Sequence, residues 1–293
     1  MRYSFAKYEG LGNDFLVVEQ ARFPRVTSEL ARKLCDRHFG VGGDGVLITG
    51  VSEGRAFMRV VNADGSTPEM CGNGLRCVAL YLADRGLVRD VAFEVATDAG
   101  PHHVRVSRDP DMSHGAALHR AIVEVQMRAA SLAARDVLRD AGSEHVIDQP
   151  FEVEGRSLHV TAVSMGNPHV VLFDELASPA ADMQHLGPRI EQDARFRAGA
   201  NVGFARLRDA ENVDLTVWER GVGFTLACGT GACAAAVAAV ETGRARRGVP
   251  LTVHLPGGPL RIVVGESGTP ISMTGPARRV FEGELELDLP LAQ

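Results

Sequence analysis

The first half of the chain alternates short apolar runs with glycine-rich turns. Tyr3 to Tyr8 reads as a strand, and Phe15 to Val18, aromatic and β-branched, as a second one after a polar turn. Ser28 is the expected N-cap of a helix that runs through Leu30 and Leu34 to about Arg37. The glycines of Gly40 to Gly45 form a loop, and Val46 to Ile48 and Phe57 to Asn62 read as strands. A turn at Cys71 opens an apolar helical run, Leu75 to Leu82. Strands near Phe93 to Ala96, His103 to Val106 and Ala121 to Met127 complete this half.

The stretch Arg108 to His119 is polar, with Pro110 and Gly115, and reads as an exposed loop. Ala129 to Asp140 has a helical rhythm of alanine, leucine and charge, which predicts a helix bridging the halves. The second half then repeats the plan. Strands are expected at His159 to Val163, Val170 to Phe173, Asp214 to Trp218, Leu251 to Leu255 and Leu260 to Val264. Helices are expected near Gly187 to Asp193 and from Cys228 to about Glu241. The order is strand-rich with one prominent helix per half, which predicts an α+β (mixed α/β) fold built from a duplicated unit.

The duplication is sharpest at two cysteines. Met70-Cys71-Gly72-Asn73-Gly74 and Ala227-Cys228-Gly229-Thr230-Gly231 are near-identical glycine turns, each followed by a helix-forming run. Asp44 lies 27 positions before Cys71, and Asn201 lies 27 before Cys228 (71−44, 228−201). Asn62 and Glu219 each lie nine before their cysteine (71−62, 228−219). Further upstream, Gly12-Asn13-Asp14-Phe15 is similar to Gly166-Asn167-Pro168-His169. Two thiols delivered by matched turns suit a chemistry in which a proton leaves one face of a carbon and another arrives at the opposite face.

The bland reading of each cysteine is a buried structural thiol. Against it, glycines at Gly72 and Gly74 keep side chains away, so helix N-terminal N–H groups can approach a ligand and lower a thiol pKa. Cys77 and Cys233 fall within the following helices, where packing is their expected role, and Cys35 is assigned none. Arg220 and Glu219 lie at a strand end, where arginine could hold a carboxylate and glutamate an ammonium group. Asn13, Asn62, Asn73, Asn167 and Asn201 could each merely cap a turn, and His169 could be a satisfied core histidine. Grouped around the repeated elements, they instead read as a polar cage for an amino acid.

Composition narrows the field. At 293 residues the chain has room for two domains, and a net charge of −6 argues against a nucleic-acid partner. The N-terminal ten residues lack the apolar run of a secretory signal, and the alanine-rich stretch Ala232 to Val240 is too short to span a bilayer. Five cysteines without a Cys-x-x-Cys pair argue against a disulfide framework or a zinc ribbon and for free thiols in the cytoplasm. Only Lys7 and Lys33 could form a Schiff base, and neither stands in a convincing site. No metal and no cofactor are expected. Gly40 to Gly45 matches G-x-G-x-x-G but follows a helix and precedes a strand, the reverse of a dinucleotide fingerprint.

Taken in order, Gly10-Leu11-Gly12-Asn13-Asp14-Phe15, Asn62-Ala63-Asp64-Gly65-Ser66, Met70 to Gly74, Ser164 to His169, Glu219-Arg220-Gly221 and Ala227 to Gly231 make the chain resemble the diaminopimelate epimerases. These are cofactor-independent amino-acid racemases. The resemblance implies two similar lobes, 1–127 with Cys71 and 128–274 with Cys228, with 275–293 returning to the first. Each lobe would be a barrel-like sheet around a central helix, with a cleft between the lobes. It implies that Cys71 and Cys228 are the acid/base thiols, that His169 and Glu219 tune them, and that LL-diaminopimelate is epimerised to the meso form. Asn13, Asp44, Asn62, Asn167, Asn201, Glu219 and Arg220 would line the substrate site, and the amides at Gly72-Asn73 and Gly229-Thr230 would hold the reacting carboxylate. A homodimer is implied by the resemblance alone. Two departures stand out: Phe224 replaces a usual glutamate, and the stretch from Arg108 to Gln149 is longer than the family's. Rival readings are a proline or hydroxyproline racemase, which usually carries histidine where this chain has Asn73, and a non-catalytic amino-acid-binding module.

Overall fold

The run Phe15-Leu16-Val17-Val18 is apolar without alternation because it is covered on both faces, and the same device recurs in the second half of the chain. The computed structural model describes residues 1–108, 120–140, 142–173 and 179–288. Residues 109–119 of the polar loop read from the sequence lie outside it. The chain divides into two units, residues 1–126 with 274–293, and residues 127–273.

The first unit begins with β1 (Arg2–Gly10) and β2 (Asn13–Glu19), joined by a two-residue hairpin turn. Leu11 and Gly12 both have positive φ, 58° and 81°, as a type I′ turn requires. Helix α1 (Ser28–Cys35) then crosses to β3 (Gly45–Ser52), which runs parallel to β2. Strand β4 (Arg55–Asn62) returns antiparallel, and helix α2 (Gly72–Asp84) carries the chain to β5 (Ala92–Thr97), parallel to β4. Strands β6 (Gly100–Arg108) and β7 (Arg120–Met127) follow as an antiparallel pair.

The second unit repeats this order after one added strand. It runs β8 (Gln149–Val153), β9 (Arg156–Ser164), β10 (Pro168–Phe173), α3 (Pro179–Glu191) and β11 (Asn201–Asp209). Then come β12 (Asn212–Glu219), the two-residue β13 (Gly223–Phe224), α4 (Gly229–Glu241), β14 (Leu251–Leu255) and β15 (Gly258–Val263). The parallel pairs fall where the duplication requires. β10 and β11 flank α3 as β2 and β3 flank α1, and β12 and β14 flank α4 as β4 and β5 flank α2.

The last strand, β16 (Ile271–Glu286), belongs from Thr274 onward to the first unit. There it pairs with both β1 and β7, closing an eight-stranded barrel without a free edge. Helix α2 contacts β1, β2, β3, β4 and β6 and is buried from Gly72 to Leu82, the polar Asn73 and Arg76 included. Helix α1 covers the outside, where Leu30, Ala31 and Leu34 pack with Leu16, Val18 and Val46. In the second unit the alanine-rich α4 is lined by β9, β10, β11, β12, β14 and β15. Leu186 and Ile190 of α3 cover Val170 and Leu172 on the other face.

Three expectations need correction. Residues 129–140 are not a helix. Ser131 and Leu138 make isolated bridges to Ser164 and Phe196, and only Ala134–Asp136 forms a 3-10 turn. The Ser131 hydroxyl donates to Asp136 at 2.6 Å and accepts from the Ala133 N–H at 3.2 Å, the local competition by which serine unseats helix. The N-cap of α1 is Thr27, whose hydroxyl accepts from Leu30 N at 3.2 Å, while Ser28 donates to Gly65 O instead. The sequence pattern does not announce strands β8, β11 and β16, because Pro150, Gly203, Gly275 and Pro276 interrupt their runs and lower strand propensity. Among the described residues no helix is long and apolar enough to cross a membrane.

Candidate active site

A residue with extended backbone and a side-chain acceptor, set just before a helix, caps it. Both sequence-singled cysteines do this with sulfur. Cys71 (φ −134°, ψ 115°) caps α2 and accepts from Gly74 N at 3.4 Å. Cys228 (φ −121°, ψ 106°) caps α4 and accepts from Gly231 N at the same 3.4 Å. The second glycine of each turn is a matter of space. A Cβ at Gly74 would lie 2.9 Å from Leu47 Cδ2 and 3.5 Å from the Cys71 sulfur. One at Gly231 would lie 3.0 Å from Val217 Cγ2 and 3.2 Å from the Cys228 sulfur. The first N–H groups of each helix have no intrahelical acceptor, so each turn also presents donors at a positive helix end.

Around Cys71 three of the expected residues, Asn13, Asp44 and Asn73, form one hydrogen-bonded chain. The hairpin turn sets Asn13 at the start of β2, where its Nδ2 donates to Asp44 Oδ2 at 2.7 Å. Asn73 Nδ2 donates to Asn13 Oδ1 at 3.2 Å. Asp44 also accepts from Asp14 N at 3.0 Å and from Arg37 Nη2 at 2.8 Å. Asp14 is gripped by Lys7 Nζ and by Arg37 Nη2, each at 2.6 Å. Burial opposes ionisation of Asp14, but Arg37 and Lys7 outweigh it and hold the carboxyl below its ordinary range. Asn62 stands at the end of β4, its Nδ2 donating to Ser66 Oγ at 2.9 Å.

Around Cys228 the same positions carry different chemistry. Asn167 Nδ2 donates to Thr230 Oγ1 at 3.3 Å, and Thr230 Oγ1 lies 3.6 Å from the Cys228 sulfur. His169, 1% exposed, directs Nε2 at Asn167 Oδ1 at 3.1 Å. Burial, with the Arg220 charge adding to it, pushes the His169 pKa down to about 3, so the ring is neutral near pH 7. Asn201 bridges Pro168 O and Arg220 N, and the Arg220 side chain donates to Ala198 O at 2.9 Å. Glu219 accepts from Thr225 Oγ1 at 2.6 Å and is hydrogen-bonded to Cys228; burial raises its carboxyl pKa. Burial, then the Glu219 charge, raises the Cys228 thiol well above its ordinary value. Phe224 is half exposed and meets Trp218 edge-on at 4.9 Å between ring centroids.

Sequence reasoning missed Glu191, at the end of α3. Its carboxylate is buried and accepts from Trp218 Nε1 at 2.7 Å and Gly221 N at 2.8 Å, bracketing Glu219 and Arg220 from both sides. It also missed Asp14, Lys7 and Arg37, whose only signal is charge beside a glycine turn. Among the described residues no group of three or more His, Cys, Asp or Glu could hold a metal ion.

The sequence profile described as "Diaminopimelate epimerase" matches residues 5–119 and 161–280. The chain is 43% identical to diaminopimelate epimerase 1 of Nostoc sp. over 293 residues, covering 97% of this chain and 100% of that one. The chain belongs to the diaminopimelate epimerase family. Another curated member, the diaminopimelate epimerase of Desulfitobacterium hafniense, is 45% identical over 285 residues, with 95% and 96% of the two chains covered. Membership makes this protein an isomerase of the epimerase class. The α+β fold is shared more widely. A Bacillus anthracis phenazine biosynthesis protein of the PhzF family superposes with a TM-score of 0.67 at 16% identity, covering 98% of this chain and 100% of that one. A hydroxyproline epimerase from Agrobacterium vitis gives 0.67 at 15% identity, covering 99% and 94%. At such identities these two speak for the fold alone. The profile skips residues 120–160, the stretch that contains the non-helical segment described above.

Proposed function

We propose that this protein interconverts LL- and meso-2,6-diaminopimelate by moving an α-proton between the thiols of Cys71 and Cys228. The observation that carries the reading is the pair of matched caps, with each sulfur fixed by the third N–H of its own helix. In the reaction a thiolate takes the α-proton from one face of the carbon, and the C–H electron pair passes into the adjoining carboxylate. The opposite thiol then delivers its proton to the other face, so one thiolate is consumed and one formed. N–H groups at Gly72-Asn73 and Gly229-Thr230 would hold the carboxylate as charge builds on it. In comparable oxyanion sites one lost donor costs roughly 3–4 kcal/mol.

The burial and the Glu219 charge that keep Cys228 protonated fit it for the proton-giving role in the resting protein. Neutral His169 acts through the Asn167 amide rather than by charge. Asn13, Asp44, Asn62, Asn73, Asn167, Asn201, Glu219 and Arg220 supply the amides, carboxylates and guanidinium that two amino-acid head groups need. The reading carries with it a cytoplasmic location, supported by five free cysteines, and a homodimer, supported by the family resemblance.

A substrate panel tests the assignment. LL- and meso-diaminopimelate are expected to interconvert to an equilibrium mixture, while L-proline, trans-4-hydroxy-L-proline and L-lysine keep their configuration, as read by chiral chromatography. Racemised proline with untouched diaminopimelate would overturn it in favour of a proline-type racemase. Binding of diaminopimelate without inversion would point to a non-catalytic module.

A further inference from the structure

Arg76 heads the fully buried side chains of the described residues by volume, with 0% exposure. It stands in the apolar run Leu75-Arg76-Cys77-Val78, just over one turn of α2 from Cys71. A buried guanidinium is costly unless hydrogen bonds and charge recover the lost hydration. Packing alone would be served by an apolar residue, and the duplicated helix has one. Cys233 lies 157 positions after Arg76 just as Cys228 lies 157 after Cys71 (233−76, 228−71), and it is buried and small.

The fork of Arg76 grips the first cysteine turn from inside the barrel. Nη2 donates to Asn73 Oδ1 at 2.9 Å, Nη1 reaches Gly72 O at 3.5 Å, and Nε donates to Pro276 O on β16 at 3.1 Å. Asn73 in turn holds Asn13. Space has been left for this group, since a Cβ at Gly10 would lie 3.1 Å from Arg76 Nη2.

The guanidinium reaches back to the first turn of α2, at Gly72 O and Asn73 Oδ1, where the helix dipole opposes a cation and negative charge arising on the capping residue relieves that conflict. Among the charged groups of this unit, Asp14 pairs with Lys7 and Arg37, Asp44 with Arg37, and Glu9 with Arg278 at 2.8 Å. His102 of β6 is buried against Gln126 O, and burial keeps the Cys77 thiol protonated.

We propose that Arg76 is a positioning residue for the first cysteine turn, fixing Asn73 and the Gly72 carbonyl and supplying the positive charge that favours the Cys71 thiolate. The proposal rests on the reading that Cys71 exchanges the α-proton. Its test is the pH dependence of iodoacetamide alkylation at Cys71 and Cys228, followed by mass spectrometry in the full-length protein, Arg76→Lys and Arg76→Gln.

In the unmodified protein Cys71 is expected to react with a midpoint below the ordinary thiol value of about 8.5 and below that of Cys228. Arg76→Lys keeps that midpoint but loses the fork, so kcat falls about tenfold or more. Arg76→Gln moves the Cys71 midpoint up by about one unit, a roughly tenfold slower reaction at pH 7, and leaves Cys228 unmoved. A Cys71 midpoint at or above 8.5 in the unmodified protein overturns the proposal, whether or not the glutamine variant folds. So does one common midpoint in all folded variants. Turnover retained by Cys71→Ala would sink the proton-exchange reading instead, and would leave the effect of Arg76 on alkylation standing.

Discussion

Cys71→Ser and Cys228→Ser are each expected to lower epimerisation by about 10²–10⁴-fold, the contribution of a placed acid or base, while the fold is kept. The separation follows from the cap geometry. Each sulfur accepts one N–H at its helix start, and serine is among the best residues for that task. The hydroxyl therefore preserves the cap, but its far lower acidity removes the proton carrier. Each variant retains the thiol on one side, so slow exchange of the α-hydrogen with solvent should persist for only one of the two stereoisomers. Turnover by chiral chromatography and thermal melting check both halves of the expectation. Near-normal turnover in either folded variant would contradict the two-thiol assignment.

Gly74→Ala and Gly231→Ala are expected to split stability from activity. In an ordinary helix, alanine in place of glycine stabilises by roughly 0.5–1 kcal/mol. Here the added methyl would meet Leu47 Cδ2 at 2.9 Å in one helix and Val217 Cγ2 at 3.0 Å in the other. Those are flexible side-chain tips, and their displacement costs about 1–3 kcal/mol in a close-packed core. The two effects partly cancel, so Tm should fall by no more than about 8 °C. The sulfur has no such freedom. The methyl would crowd Cys228 Sγ at 3.2 Å, and Cys71 Sγ at 3.5 Å, beside the N–H that fixes each. Misplacement of a reacting group on the ångström scale costs about a hundredfold in rate. A kcat loss of at least tenfold with a modest Tm change is the expected pattern, and Gly231→Ala should be the worse of the two. Unchanged kcat in a folded Gly231→Ala would show that the sulfur position is not critical.

The elements with a local cause are legible in the chain. Cys-Gly-x-Gly before an apolar run announces a capped helix, and Phe15 to Val18 announces a strand covered on both sides. Elements decided by long-range pairing are not. β16 becomes a strand because β1 and β7 offer it edges, and nothing in Ser272-Met273-Thr274-Gly275 foretells that. Residues 129–140 have the rhythm of a helix, yet Ser131, Ala133 and Leu138 find bridge partners far away in sequence. The same division holds in the site. The cysteines and asparagines stand out by repetition, whereas Glu191 and Arg76 act through neighbours brought by the fold. In Arg76 the only trace is a charge where the helix should be apolar.

Duplication gives the two turns the same geometry, and substitution gives them different surroundings. Asn62 corresponds to Glu219, Asp44 to Asn201, Asn73 to Thr230 and Arg76 to Cys233. One cysteine turn is held by a buried cation at Gly72 O and Asn73 Oδ1, and the other thiol is hydrogen-bonded to a buried carboxylate. A substrate with one reacting and one spectator centre is matched by such an asymmetric pair.

The direct test of proton exchange between two opposed thiols is turnover of LL-diaminopimelate in deuterium oxide, stopped at low conversion. The account predicts one deuterium at a single α-carbon of the meso product and almost none in the recovered substrate, because removal and delivery use different groups. Equal labelling of product and recovered substrate, as a single shared base would give, or product formed without any label, would contradict it.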